Sequence, residues 1–353
     1  MTILGIETSC DETAVAVLDV RGPNDIEIRA NIVSSQIKLH AKFGGVVPNL
    51  AAREHVKNIS HVFETALKTA GITDFATEID LIAVTHGPGL GPALLVGIAF
   101  AKTIAMTHNK PLIGVDHMRG HIYSNWLQPI GEFPVSSFQF PAMNLIVSGG
   151  HTELVLMPDY EKFELIGETM DDAVGEAFDK VARLLDLSYP GGPAISKIAE
   201  NGDLNRFPLP RPMLHSKDFN FSFSGLKTAV LYLLRDLKEK GVEINDQTKA
   251  DIASSFQESA VDVLVQKTIH SAREYGVSTI MLSGGVSANT LLRNKLKNVT
   301  EKEGLVFSCP PLVYTGDNAV MIALAGYFAN KHDPDASVGA SWQTIEMQPN
   351  LGF

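Results

Sequence analysis

The hydrophobic pattern along the chain changes period several times. TILGIET and AVAVLDV alternate as the two strands of a hairpin, joined by ETSCDET, a turn of acids, hydroxyls and one cysteine. NLAAREHVKNISHVFETALKTAG has apolar residues at helical spacing and stops at Gly71. LIAVTH, ALLVGIAFAKTIA and PLIGVDH then read as strand, helix and strand. Near residue 142 the first pattern returns. MNLIVSGGHTELVLMPD has an apolar strand, a small polar turn ending in a threonine (Thr152, as Thr13 before) and a second alternating strand. This predicts an internal duplication. Helical patterns follow, among them DIASSFQESAVDVLVQKTIHSAREYG, with Ile252, Phe256, Ala260 and Leu264 on one face. STIMLSGGVSAN predicts a further strand, TGDNAVMIALAGYFAN a closing helix, and the stretch from about His332 reads as polar and irregular. Strand and helix alternating from end to end predict an α/β fold.

Composition narrows the class. A chain of 353 residues, 45% hydrophobic, can bury one large or two medium cores. Cys10 and Cys309 lie too far apart in sequence to suggest a disulfide framework, which fits a reducing compartment. The first seven residues are already strand-like and carry Glu7, so no targeting signal is expected. The run PALLVGIAFAKTIAM is interrupted by Lys102 and falls short of the about 20 residues of a membrane span. A soluble, cytoplasmic protein without a membrane partner is the expectation. The net charge of −11 repels polyanions, so nucleic-acid binding requires a local basic surface or a partner. Basic residues cluster at Lys38, Lys42, Arg53 and Lys57 and at Arg293 to Lys297, each readable as a solvated helix face.

Three turns, ETSCDET, VSGGHTE and LSGGVSAN, directly follow apolar strands. Strand ends in α/β folds are where backbone N–H groups approach phosphates, so three such turns favour a nucleotide or acyl-phosphate site between two like halves. SFSGLKTAV lacks the glycine spacing of a P-loop. HMRGH places His117 and His121 four apart, on one face if helical, within reach of one metal ion. Asp317 in TGDNAVM is the third-ligand candidate against its reading as a helix cap, with Asp116 as the alternative. Met118 stands where a zinc peptidase of the HExxH type needs its glutamate, so the peptidase base is missing. Asp179, beside Phe178 and Val181, can accept both hydroxyls of a ribose, and YPGGP lets a ligand lie against backbone. A small-molecule kinase and an ATP-driven clamp would share the fold and hairpins without needing the histidine pair.

The ordered set GIETSCDET, HGPGLGPALLVG, HMRGH, IVSGGHTEL, GEAFDK, YPGGP, FSFSGLKT, GGVSAN and TGDNAVMIA, spanning about residues 2 to 330, resembles the bacterial tRNA N6-adenosine threonylcarbamoyltransferases, once classed as sialoglycoprotein endopeptidases. The resemblance implies two duplicated lobes of the acetate and sugar kinase, Hsp70 and actin fold around a nucleotide cleft. Lobes at residues 1–120 and 121–330, the second with a helical insertion, and a tail at 331–353 follow from it. It implies transfer of a threonylcarbamoyl group from threonylcarbamoyl-AMP to N6 of the adenosine next to the anticodon in tRNAs reading codons that begin with A. By that resemblance His117, His121 and Asp317 hold one Fe(2+) per subunit, although two His and one Asp also accept zinc or manganese. Ile146, Val147, Ser148, Gly149 and Gly150 match the donor-binding loop, Asp179 and Gly192 the ribose side, and Asn289 the adenosine side. Asp11 matches an acid that lines the cleft in the family, and it or Glu12 is the candidate proton acceptor. Bacterial members of the family work with a catalytically silent paralogous subunit, paired through the first lobe, and with a P-loop ATPase. The apolar helix around Pro92 to Thr107 is the candidate contact.

Overall fold

The computed structural model describes residues 1–127, 138–333 and 341–353. The chain forms two compact units, residues 1–137 with 310–353 and residues 138–309.

In the first unit, β1 (Thr2–Glu7), β2 (Glu12–Gly22), β3 (Asp25–Ser35), β4 (Leu81–Gly87) and β5 (Leu112–Asp116) form one sheet in the order β3-β2-β1-β4-β5. The hairpin read from the alternation is there, with Leu4 opposite Val17 and Ile6 opposite Val15, and β4 and β5 run parallel to β1. Alternation sends Leu4, Ile6, Ile82 and Val84 into a core with the Pro48–Ala70 and Gly91–His108 helices, and Ile3, Gly5 and Ala83 to the opposite face. The Ala319–His332 helix covers that second face so closely that a Cβ on Gly5 would collide with the Ala319 carbonyl, and one on Gly326 with Ala83.

This packing corrects the expected boundaries. The closing helix belongs to the first unit, not the second, because its glycine and alanine face packs closely against that unit's sheet, including β1 and β4. The first break falls after residue 137 rather than 120, since the His117–Tyr123 helix continues β5 and packs with the Ala319–His332 helix. The tail is also more than irregular chain. Trp342 and Ile345 pack on the first core, and residues 347–349 lie along the 86–91 loop. Residues 334–340 of the expected tail lie outside the described residues. The Gly91–His108 helix, with a mean hydropathy of 1.2 over 18 residues, is long and apolar enough by composition to cross a membrane, contrary to expectation. Its Leu94, Ile98, Ala101, Ile104 and Ala105 fill the core described above.

In the second unit, β6 (Ala142–Val147), β7 (Thr152–Met157), β8 (Glu164–Glu168), β9 (Thr279–Ser283) and β10 (Val306–Ser308) are ordered β10-β9-β6-β7-β8. Read from the other edge this is the connectivity of the first sheet, antiparallel through β6, β7 and β8 and parallel through β9 and β10. The duplication is therefore one of topology. The second copy inserts the Val174–Leu184, Gly191–Ala199, Ser224–Glu239 and Asp246–Glu274 helices between its third and fourth strands. Phe178, Phe221, Phe223 and Phe256 fill their common core, each contributing roughly 1.5–3 kcal/mol by burial.

A candidate metal centre and the loops of the second unit

β5 ends at Asp116, whose Oδ1 accepts from the Met118 and Arg119 N–H groups at 2.7 and 3.1 Å and so caps the His117–Tyr123 helix. That removes Asp116 as the alternative ligand. Four residues apart on this helix, the His117 and His121 rings lie 4.7 Å centroid to centroid and nearly perpendicular. Asn318, not Asp317, caps the Ala319–His332 helix, accepting from Met321 N–H at 3.1 Å. Asp317 is left to face the imidazoles. Its Oδ1 is 3.5 Å from His117 Nε2 and 3.2 Å from His121 Nε2. Gly120 makes this possible, because a side chain there would press on Ile322 and Met321 of the facing helix.

The donor set fits a metal ion. One ligand atom from each residue lies within 4.8 Å of the others. His121 is fully buried, its Nδ1 has no hydrogen bond, and its Nε2 meets only Asp317 Oδ1, without good hydrogen-bond geometry. A buried imidazole nitrogen without a partner is costly unless something binds it. Behind His117 stands a support absent from the sequence reading. Nδ1 lies 2.9 Å from Glu7 Oε2, with Ser9 Oγ at 3.2 Å. The Thr85 hydroxyl donates to Glu7 Oε2 at 2.7 Å, and the Ser9 N–H donates to the other oxygen. A carboxylate on Nδ1 fixes the tautomer and turns the Nε2 lone pair toward the ion. The only sequence sign of this role was an acid ending an otherwise apolar strand.

Without an ion these groups perturb one another. Burial opposes the charge on His117, but Glu7 and Asp317 outweigh it and raise its pKa well above 6.5. Burial likewise opposes the charges on Glu7 and Asp317, and His117 overcomes it to lower both. His117 is thus protonated at pH 7, while metal needs its Nε2 lone pair. Binding a divalent metal at pH 7 should release about one proton, and affinity should weaken as pH falls. Calorimetry in buffers of different ionisation enthalpy measures this number. Zero release would contradict the raised pKa of His117.

The ETSCDET turn sits beside this centre. His55 of the Pro48–Ala70 helix holds it, donating from Nε2 to the Cys10 carbonyl at 3.0 Å and accepting the Thr13 hydroxyl on Nδ1 at 2.8 Å. Burial, then Asp11, pushes the Cys10 thiol well up, so it is no thiolate nucleophile. Asp11 is buried with Oδ2 unpartnered. Burial first, then the Asp317 and Asp11 charges, pushes the Glu12 carboxyl up to about 9. The Ser35 hydroxyl donates to it at 2.9 Å. Leu90 N–H donates to the Ser9 carbonyl at 2.7 Å, and the 86–91 loop is in turn tied to the tail by Gln348 N–H to His86 O at 2.7 Å and Gly89 N–H to Pro349 O at 3.1 Å.

Within the second unit, Ile146 to Gly150 span the end of β6, Asn289 follows β9, and Asp179 and Gly192 lie on the Val174–Leu184 and Gly191–Ala199 helices. Ile146 and Val147 are fully buried, so only their backbone can meet a ligand. Ser148 N–H donates to His151 O at 2.9 Å, and Ser148 Oγ accepts from Gly150 N–H at 3.3 Å and His151 N–H at 3.0 Å. Gly149 N–H is therefore the uncommitted donor of the three. No atom crowds the Cα of Gly149, Gly150 or Gly192. Gly175 begins the next helix against Ser148 and Gly149, and Gly284, at φ +87°, packs on Val147. Asp179 Oδ1 accepts from Gly191 N–H at 2.6 Å. Asn289 caps the Thr290–Lys302 helix and donates to Ser196 Oγ at 3.1 Å and Gln257 Oε1 at 2.8 Å. Ser196 and Gln257, which carry no sequence signal of their own, thus tie the Asn289 loop to the Gly191–Ala199 helix that carries Gly192.

Known proteins supply the family. At the level of fold, T. kodakarensis HypF superposes with a TM-score of 0.59 at 14% identity, covering 97% of this chain and 49% of HypF. A HypF structure in the phosphate- and nucleotide-bound form gives 0.57 at 15%, covering 96% and 47%. Sequence relatives are far nearer. The tRNA N6-adenosine threonylcarbamoyltransferase of Thermosipho africanus is 49% identical over 99% of both chains. That of Bacillus subtilis is 52% identical over 93% of this chain and 90% of its own. With the family pattern running from residue 27 to 324 and identity near one half over almost the whole length, the chain belongs to the TsaD family of tRNA N6-adenosine threonylcarbamoyltransferases, enzymes that transfer a threonylcarbamoyl group to tRNA.

Proposed function

We propose that the transferred group comes from threonylcarbamoyl-AMP, that the acceptor is the adenosine next to the anticodon in tRNAs reading codons that begin with A, and that His117, His121 and Asp317 hold one Fe(2+). The observation that carries the metal reading is the convergence of His117 Nε2, buried His121 Nε2 and Asp317 Oδ1 on one point. The same three ligands accept zinc or manganese. When bound, the ion supplies positive charge to donor oxygens.

The chain's own residues do the rest. A mixed anhydride carries an activated carbonyl, so no enzyme nucleophile is needed, in keeping with the raised pKa of Cys10. Glu7 holds His117 in register. Gly149 N–H meets the leaving phosphate, and the open backbones of Gly150 and Gly192 let donor lie close. Asp179 takes the ribose and Asn289 the adenine. As the N6 amine attacks the carbonyl carbon, the bond to the AMP phosphate oxygen breaks, AMP leaves, and Asp11 Oδ2 takes the amine proton. A silent paralogous subunit and a P-loop ATPase complete the cytoplasmic system. Leu95 and Met106, 54% and 57% exposed on the Gly91–His108 helix, offer the paralogue an apolar face. The test supplies the chain and both partners with threonylcarbamoyl-AMP made from labelled threonine and with unmodified tRNA. Label should appear in the modified adenosine of those tRNAs, and none there sinks the reading.

A further inference from the structure

From Ile28 through Arg53 the chain carries no acidic residue, although its net charge is −11. Within that stretch the residues between β3 and the Pro48–Ala70 helix form a loop with a firm base and an exposed tip. At the base, Gln36 N–H donates to the Asp11 carbonyl at 2.9 Å. Buried His40 donates from Nε2 to Gln36 Oε1 at 3.1 Å and accepts Val47 N–H on Nδ1 at 3.3 Å. Gly44, at φ +69°, turns the chain at the tip. The tip presents Phe43, 60% exposed and the most exposed phenylalanine among the described residues. Lys38 and Lys42 flank it, both exposed and neither in an ion pair among the described residues.

An exposed ring between unpaired lysines, fixed to the turn that carries Asp11 and Glu12, has no use in folding. A base-stacking platform with phosphate contacts has this composition. The reaction asks for one. N6 lies on the pairing edge of adenine, so the acceptor must be unpaired, and its loop neighbours then expose their faces. We propose that the 38–43 loop binds tRNA, Phe43 stacking on an unpaired base of the acceptor loop while Lys38 and Lys42 contact its phosphates. This rests on the tRNA transfer established by family membership.

The complete transfer assay, with partner subunits, tests it. Phe43→Ala should raise KM for tRNA roughly tenfold with kcat within about twofold, and Phe43→Tyr should restore KM. The Lys38→Gln/Lys42→Gln double variant should make the fall of log(kcat/KM) with log[KCl] shallower by about 0.7 per lysine. A tRNA KM unchanged in Phe43→Ala, or an unchanged salt slope, overturns the proposal. So does loss of a partner subunit from Phe43→Ala on gel filtration, which would make the tip a protein contact. Absence of transfer by the wild-type protein would overturn the family reading and this inference together.

Discussion

Replacing His121 with alanine should abolish stoichiometric metal binding and lower threonylcarbamoyl transfer on the order of a hundredfold or more. Charge stabilisation by a bound ion is worth several kcal/mol, and two ligands cannot hold the ion alone in place. The buried position of His121 leaves no water to take its part. Glu7→Gln should be graded: all three ligands remain, but the partner on His117 Nδ1 is weakened, so metal affinity should fall about 10–100-fold and activity should return with excess metal. Asp116→Asn should keep the metal, since Asp116 only caps a helix. Metal analysis of the purified variants decides this, and full occupancy in His121→Ala would sink the assignment.

Asp11→Asn should lower kcat by about 10²–10³, and Glu12→Gln by less than tenfold. The difference follows from protonation. In the metal-free protein, burial first and then the Asp317 and Asp11 charges push the Glu12 carboxyl up to about 9, so glutamine is a close stand-in for it. Asp11 has an unpartnered buried oxygen with which to accept a proton. The same shift sets a stability slope. Folded Glu12 keeps its proton up to about pH 9, whereas the ordinary carboxyl releases it near 4.5. Between those values the unfolded state binds fewer protons, so the metal-free protein loses stability as pH rises through the window. Glu12→Gln should flatten that decline. Urea midpoints from pH 5 to 9 measure it, and parallel curves for the two proteins would refute the shift.

The sequence by itself determined what depends on local period and spacing. The ILGIE and NLIVS strands, their hairpins and the repeat of one pattern were legible because alternation forces one face of a strand inward wherever the sheet lies. His117 and His121 were legible because a spacing of four puts both on one face of any helix. The order of motifs sufficed to suggest the family. The sequence ranked Asp317 ahead of Asp116 as the third ligand, but local pattern alone left the alternative open, since both acids precede helices. Tertiary structure separated them: Asp116 spends its carboxylate on its own helix, whereas Asn318 caps the other and leaves Asp317 to the histidines. Behind the site, Glu7 and Ser9 share one turn, but Thr85 and His117 reach them only through the pairing of β1, β4 and β5, so no window of sequence contains the group. Close packing at glycines, Gly5 under the Ala319 backbone and Gly120 under the Ile322 side chain, also assigned the last helix to the first unit. Contacts between distant segments exist only once the chain is packed, and here they decided which of the chemically suitable residues meet.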